Sequence, residues 1–403
     1  MSLLDQILQE SVWESFYEYK LSLACPKRFT KELRKFTDEK RYIGSYEKIC
    51  IRKEYPLPVK SVISKLGSDK KRIVYTYPED EGTLFKLITH LMLRKYDHLF
   101  VKGLYSFRPG KTAKDAVRYL FGITDLPKMY AYKADIHDYF NSIPVEEMLD
   151  ALKKAVDDDP ELYEVLSGLL LEPDALYRGR VVTEKKGIMA GTPQSAFYAN
   201  LFLSEMDRHF SEQGVIYARY SDDIIVFAPT EEEVKAHAEY IRKYLAGHSL
   251  SINPSKEEFY APGSGFNFLG FKCKGDIIDI APVTLTKLIK KMHRKRDALV
   301  RWRKRNDIKP EKAASAFIRV FNRKLLESPR DNELSWSNWF FPVINTTESL
   351  HKIDMCAQDC LRYIISGKHT KSRYNVRYED LKALGYRSLV NAYYDVKVKR
   401  SAT

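Results

Sequence analysis

A chain of 403 residues carrying 67 Lys and Arg against 54 Asp and Glu can bury a large core and hold two or three lobes. Its formal net charge of +13 points to an anionic partner, nucleic acid before any other. No apolar run approaches the roughly 18 residues of a membrane-crossing helix, which argues against a membrane protein.

The 27 Tyr and 20 Phe add faces on which bases can stack, although most aromatic side chains belong to cores. Cys25, Cys50, Cys273, Cys356 and Cys360 are sparse, odd in number and without zinc spacing. With an acid-bearing amphipathic start in place of a signal peptide, they argue for a reducing compartment and a cytoplasmic protein. Cys356 and Cys360, one helical turn apart, read as buried apolar residues.

Residues 1–60 read as helical and then mixed. Tyr42, Tyr46, Ile49 and Ile51 alternate with Arg41, Lys48, Arg52 and Lys53, which suits a solvated face better than a nucleic-acid contact. Pro56, Pro58 and Gly67 punctuate the chain. Lys70, Lys71 and Arg72 then head a short strand, IVYTYP. Residues 81–96 form a helix with Leu84, Leu87, Ile88 and Leu91 inward. In 103–113, Pro109-Gly110 makes a turn, Thr112 caps a helix through Tyr119, and Arg108 and Lys111 are placed to meet phosphates.

Residues 129–134 (MYAYKA) read as a strand ending on Asp135. Residues 146–171 are helical with a break at Asp157-Asp158-Asp159-Pro160, whose acids suit a solvated boundary better than metal ligands. Residues 172–190 suggest a hairpin, and Gly191-Thr192-Pro193-Gln194 opens a helix. Residues 215–228 read VIYARYSDDIIVFA: two flanks of β-branched and aromatic residues enclose Tyr220-Ser221-Asp222-Asp223. That is a hairpin with an acid pair at its tip. Thr230 and Glu233 cap a helix that turns Val234, Ala238, Ile241 and Leu245 inward. From Thr284, Lys287, Lys290, Lys291, Arg294, Lys295, Arg296, Arg301, Arg303, Lys304 and Arg305 crowd one helix. Its narrow apolar face is Leu285, Leu288, Ile289, Met292 and Leu299, and it suits tracking a duplex backbone. The remainder reads as helical.

Alone, the acid pair fits a polar surface turn as well as a site. Asp135 alters the balance, because a strand-end acid and a neighbouring hairpin can converge. Burying such acids without a cation costs several kcal/mol. Three carboxylates can hold two Mg2+ ions ~4 Å apart for in-line attack on a phosphate, with Mn2+ a substitute.

In order and spacing, the Asp135 segment, the Gly-Thr-Pro-Gln helix start and the Asp222-Asp223 hairpin resemble motifs A, B and C of reverse transcriptases. Residues 250–256 are similar to motif D and 266–272 to the primer-grip hairpin. The resemblance implies an α+β right-hand polymerase. Fingers with an N-terminal helical segment would occupy 1–128. A palm of antiparallel sheet covered by helices would occupy 129–280, with a fingers insertion around 145–185. A helical basic thumb and C-terminal region would occupy 281–403. It implies Asp135, Asp222 and Asp223 as catalytic metal ligands, with Ile136 beside them. Lys71 and Arg72 would grip the incoming triphosphate, Gln194 would sit against the nascent pair, and Lys256 would approach the leaving phosphate. Phe140, five residues after Asp135, matches the steric gate that leaves no room for a 2′-hydroxyl. Arg108 and Lys111 would meet template phosphates, and Lys287, Lys290, Lys291, Arg294, Lys295 and Arg301 the duplex.

The implied activity is RNA-directed DNA polymerase, which extends a 3′ end with deoxynucleoside triphosphates to copy a structured non-coding RNA into cDNA. No maturase, nuclease, integrase or RNase H signature is legible. Motif B, GTPQSAFYANL, departs from the Gly after Gln that many members have. The chain most resembles the stand-alone bacterial reverse transcriptases of antiphage defence, with retron enzymes as the alternative. An RNA-dependent RNA polymerase fits Phe140 poorly, and a catalytically idle RNA-binding protein fits the intact acids poorly. The template, primer and oligomeric state are not legible.

Overall fold

The computed structural model describes residues 2–23, 25–64, 71–184, 187–327 and 336–401, in two compact units, Met1–Ser264 and Gly265–Thr403. Gly67 and Lys70 lie outside the described residues. The strands of the first unit are β1 (Val59–Ser64), β2 (Lys71–Thr76), β3 (Tyr130–Asp135), β4 (Asp174–Tyr177), β5 (Arg180–Thr183), β6 (Tyr217–Tyr220), β7 (Asp223–Ala228) and β8 (Glu258–Tyr260). They form two sheets, ordered β2-β1-β4-β5 and β6-β7-β3-β8.

The second of these sheets is antiparallel throughout. β3 and β7 take its centre because their sequences are apolar on both faces. Ala131, Tyr132, Ala134, Ile224, Ile225, Val226 and Phe227 are all buried, as in strands covered on both sides. Helix Glu231–Gly247 packs on β3 and β7 with Val234, Ala238, Ile241 and Leu245 buried. Its start is capped as expected, with Thr230 Oγ1 accepting from the Glu233 N–H at 3.2 Å. The α+β architecture with an antiparallel sheet under helices is therefore present.

The expected hairpin after the 146–171 region is β4–β5, but it joins the β1–β2 hairpin through a parallel pairing at Val59↔Leu176 rather than the central sheet. The acid triplet marks a helix boundary as expected, with Asp157 and Asp158 exposed, but Asp159 is not solvated. Asp159 is 1% exposed. It accepts from the Leu3 N–H (2.7 Å), the Ser2 hydroxyl (2.6 Å) and the Leu162 N–H (3.2 Å), so one carboxylate caps two helical starts. Asp158 accepts from the Tyr96 hydroxyl at 2.8 Å and pairs with Lys95 at 2.9 Å.

The second unit opens with an antiparallel meander, β9 (Phe266–Phe268), β10 (Phe271–Lys274) and β11 (Ile277–Ile280). The primer-grip-like hairpin thus lies in this unit, whose border falls at 264/265 and not at 280/281. The basic helix Pro282–Arg305 packs on helices Glu348–Ser366 and Pro310–Leu325. It buries Met292, Leu299 and Val300, whereas Leu285, Leu288 and Ile289 are only half-buried. Buried Asp354 accepts from the N–H groups of Leu389 (2.9 Å) and Val390 (3.1 Å) and from the hydroxyls of Tyr386 (2.8 Å) and Ser388 (2.6 Å). A carboxylate at a helix start stabilises it twice, by hydrogen bonds and by the dipole. Among the described residues no helix is long and apolar enough to cross a membrane.

Candidate active site

Register explains why the three acids meet. Asp135 ends β3 and Asp223 begins β7, directly opposite in the ladder. Ser221 and Asp222 form the two-residue turn between the paired Tyr220 and Asp223. The Ile136 N–H donates to the Asp222 carbonyl at 3.1 Å, and the Asn253 N–H donates to the Asp135 carbonyl at 2.7 Å. One carboxylate oxygen from each of Asp135, Asp222 and Asp223 lies within 4.8 Å of the others. Like charges facing each other across a ladder weaken a sheet. Ser221 has φ +60°, a strained conformation that costs about 1–3 kcal/mol. Local stability is given up here at one place. The acids do not project into solvent as the hairpin alone suggested: Asp135 is buried, and Asp222 and Asp223 are half-buried.

Burial and neighbouring Asp135 push the Asp222 carboxyl up, and burial with Asp222 and Asp135 pushes Asp223 up to about 6. The opposing positive field comes from Lys256, Lys133 and Arg72. Lys256 Nζ donates to Asp135 Oδ2 at 2.5 Å. Crowded carboxylates offering only oxygen donors fit a hard divalent cation such as Mg2+ or Mn2+.

Beneath the hairpin lies a network that sequence reasoning missed. Arg219 on β6 is fully buried, with Nε 2.7 Å and Nη2 2.5 Å from the two carboxylate oxygens of buried Asp207. Its remaining donors reach the carbonyls of Ser221 (3.2 Å) and Asn200 (3.1 Å). Asn200 donates to the Ser106 carbonyl at 2.7 Å and accepts from its hydroxyl at 2.9 Å. One ion pair thus joins the turn bearing Asp222, helix Ser195–Phe202 and the loop at Ser106. The signal was present: a charge inside the apolar flank VIYARY, at an inward strand position.

The other expected residues divide. Arg72 is exposed on β2 and its charge reaches Asp222. Lys71, one position earlier, is exposed and faces the opposite way. Phe140 is half-buried, edge-on to Phe107 and Tyr139 at ring distances of 6.5 and 5.7 Å. The loop before helix Ser195–Phe202 is stitched to its surroundings at two glycines. Gly187 has φ +86°, and a Cβ there would lie 2.5 Å from Asn141 Cα. Gly191 has φ +102°, and a Cβ there would lie 3.0 Å from the Tyr75 carbonyl. Gln194 is 4% exposed, donates to the Tyr77 hydroxyl at 3.0 Å and has a buried Oε1 without a partner. It lines a cavity of about 480 Å³ with Tyr77, Ser142, Glu146 and Thr192.

Arg108 is a correction. Its side chain is 6% exposed, grips Asp97 with Nε and Nη2 at 2.7 and 2.9 Å, and donates to the carbonyls of Val101 and Leu104. It braces its own loop and has no fork left for a phosphate. Lys111 is half-buried, donates to the Lys102 carbonyl at 2.7 Å, and is pushed down to about 8 by burial and Arg108. In the second unit, Lys287, Lys290, Arg294 and Arg301 are exposed, and Lys291 and Lys295 half-buried. Burial and the cations Lys324, Arg294 and Lys287 push Lys291 down. Arg296 and Arg303 are engaged within the fold, by Asp297 at 2.8 Å and by the Ile364 carbonyl at 2.5 Å.

An acid at the end of a central antiparallel strand, facing an acid pair on the next hairpin, is the arrangement of a palm-type nucleotide polymerase. A family model described as reverse transcriptase (RNA-dependent DNA polymerase) matches residues 63–273, just over half of the chain. The chain belongs to the reverse transcriptase family, whose activity is RNA-directed DNA polymerisation. No curated protein matches it. Among solved structures it is similar to the apo telomerase of Candida tropicalis truncated from its C-terminal domain, at 13% identity and TM-score 0.46. That likeness covers 61% of this chain and spans only 60% of the telomerase chain. Telomerase of Candida albicans in complex with a fragment of telomeric RNA matches at 11% identity and TM-score 0.46, over 87% of this chain and 70% of that one. The longer apo Candida tropicalis telomerase matches at 11% and 0.48, over 83% and 70%.

Proposed function

We propose that this protein copies a structured non-coding RNA into cDNA at the Asp135, Asp222 and Asp223 cluster, in bacterial antiphage defence. The convergence of those three carboxylates within 4.8 Å is the observation that carries the catalytic part. They would hold Mg2+, with Ile136 alongside. Bound there, the ions supply the charge that activates a 3′-hydroxyl and stabilises departing pyrophosphate. The chain's own groups do the rest. Arg72, with its forked donors and its field on Asp222, takes the triphosphate, and Lys71 adds charge. Lys256, paired with Asp135 in the structure, passes to the leaving phosphate once the acids are otherwise neutralised. Phe140 lies under the sugar and Gln194 beside the nascent pair. Lys111 serves the template, and the exposed cations of helix Pro282–Arg305 serve the duplex. Residues 1–128 act as fingers, the β3–β7 sheet as palm, and the helical second unit as thumb.

The defence reading rests on the resemblance of a chain of this size to stand-alone bacterial reverse transcriptases, and of the segment 103–113 to group II intron and other bacterial enzymes of the family. A retron-type enzyme is the alternative within the family. Both are tested by sequencing nucleic acid that co-purifies with the protein and by challenging cells with phage. One dominant RNA, its cDNA, and protection lost in Asp222→Ala are expected. Random cellular RNA and unchanged protection would overturn the defence reading.

A further inference from the structure

We propose that His293, Cys356 and Cys360 form a zinc-type metal site that pins the basic helix Pro282–Arg305 to helix Glu348–Ser366. Cys356 and Cys360 stand at i and i+4 on the second helix, so both thiols share one face. His293 comes from the first helix, which packs on it. Cys356 Sγ and His293 Nε2 are 3.3 Å apart, and one ligand atom from each of the three residues lies within 4.8 Å of the others. Zn–S distances of about 2.3 Å and Zn–N distances of about 2.0–2.1 Å in a tetrahedron put ligand atoms about 3.5–3.8 Å apart, so small side-chain adjustments close the site.

The chemistry agrees with the geometry. Two thiolates and a neutral imidazole together balance a divalent charge, and such soft donors favour Zn2+ over Mg2+. Cys360 is buried, Cys356 half-buried and His293 exposed, so the fourth position faces solvent. The Cys-x-x-x-Cys spacing falls within the zinc range after all, but the third ligand, 63 residues earlier, is invisible to spacing. The site would steady the helix that carries Lys287, Lys290, Arg294 and Arg301. It would do so without touching the catalytic acids, whose oxygen donors take a different class of ion.

The test is a Co2+ titration of the full-length protein after reduction and chelation. One equivalent of a thiolate-to-cobalt charge-transfer band is expected, removed by competing Zn2+. His293→Ala, at an exposed position that leaves the core intact, should weaken binding at least tenfold, and Cys356→Ser should abolish the band. Zn2+ should raise the thermal midpoint of wild type more than that of either variant at the same Zn2+ concentration. Cobalt on the Asp cluster gives no thiolate band, so the two sites are separable. No band in wild type, or an equal band in Cys356→Ser, would overturn the proposal.

Discussion

Asp135 and Asp223 face each other across a ladder, and no packing argument explains a like-charged pair there. Asp222→Ala with Asp223→Ala should therefore abolish nucleotide incorporation while the fold persists; a double variant that still extends a primer with Mg2+ present would sink the assignment. The acids also carry a stability signature. The Asp223 carboxyl is pushed up to about 6, above the roughly 3.9 of an unfolded chain. Between those values the folded state keeps a proton that the unfolded state has lost. Its contribution to stability is greatest at low pH and falls as pH rises through about 4 to 6. In chelator, wild type should lose stability relative to Asp223→Asn over that window, and Mg2+ should flatten the difference. A pH-independent difference in melting would show that Asp223 is not crowded. Phe140 makes a separate case. Removing its half-buried ring opens space, so Phe140→Ala should admit ribonucleotides at least tenfold better, read from incorporation kinetics with both precursors. Unchanged discrimination would remove it from the gate.

Helix Pro282–Arg305 behaves as an element with two faces. Met292, Leu299 and Val300 anchor it, Arg296 and Arg303 are engaged internally, and burial, with the cations Lys324, Arg294 and Lys287 nearby, pushes Lys291 down. Removing one phosphate-binding cation should reduce the slope of log affinity against log salt by about 0.7–0.9. Reversing Lys290, Arg294 and Arg301 to Glu should weaken RNA binding strongly at low salt and independently of sequence. Being exposed, these positions should shift stability by no more than about 0.5 kcal/mol. Equal affinities and parallel salt slopes for wild type and variant would leave the helix a solvated face.

For the whole molecule, a net charge of +13 and a cluster of three acids are separate endowments, one for holding nucleic acid and one for chemistry. The Asp222→Ala, Asp223→Ala variant should thus bind RNA within about threefold of wild type, with the same salt slope, while being inactive. Binding that disappears together with activity, in filter or anisotropy measurements, would mean that the acids support the interface itself.

By itself the sequence determined whatever is set within a few residues. Short runs of apolar, β-branched and aromatic residues made β3, β6 and β7, Thr112 and Thr230 made caps, and motif order placed the chain among reverse transcriptases. These follow from backbone propensity and turn chemistry, which act locally. Tertiary structure alone decided which charges meet. Register set Asp135 against Asp223, and packing took Arg108 to Asp97, Lys256 to Asp135 and Arg219 to Asp207. It also drew Asp159 inside and brought His293 to the Cys356 thiol. The partner of a charged side chain is chosen by distance in space and by the cost of burying it unpaired. Neither quantity is a function of spacing along the chain.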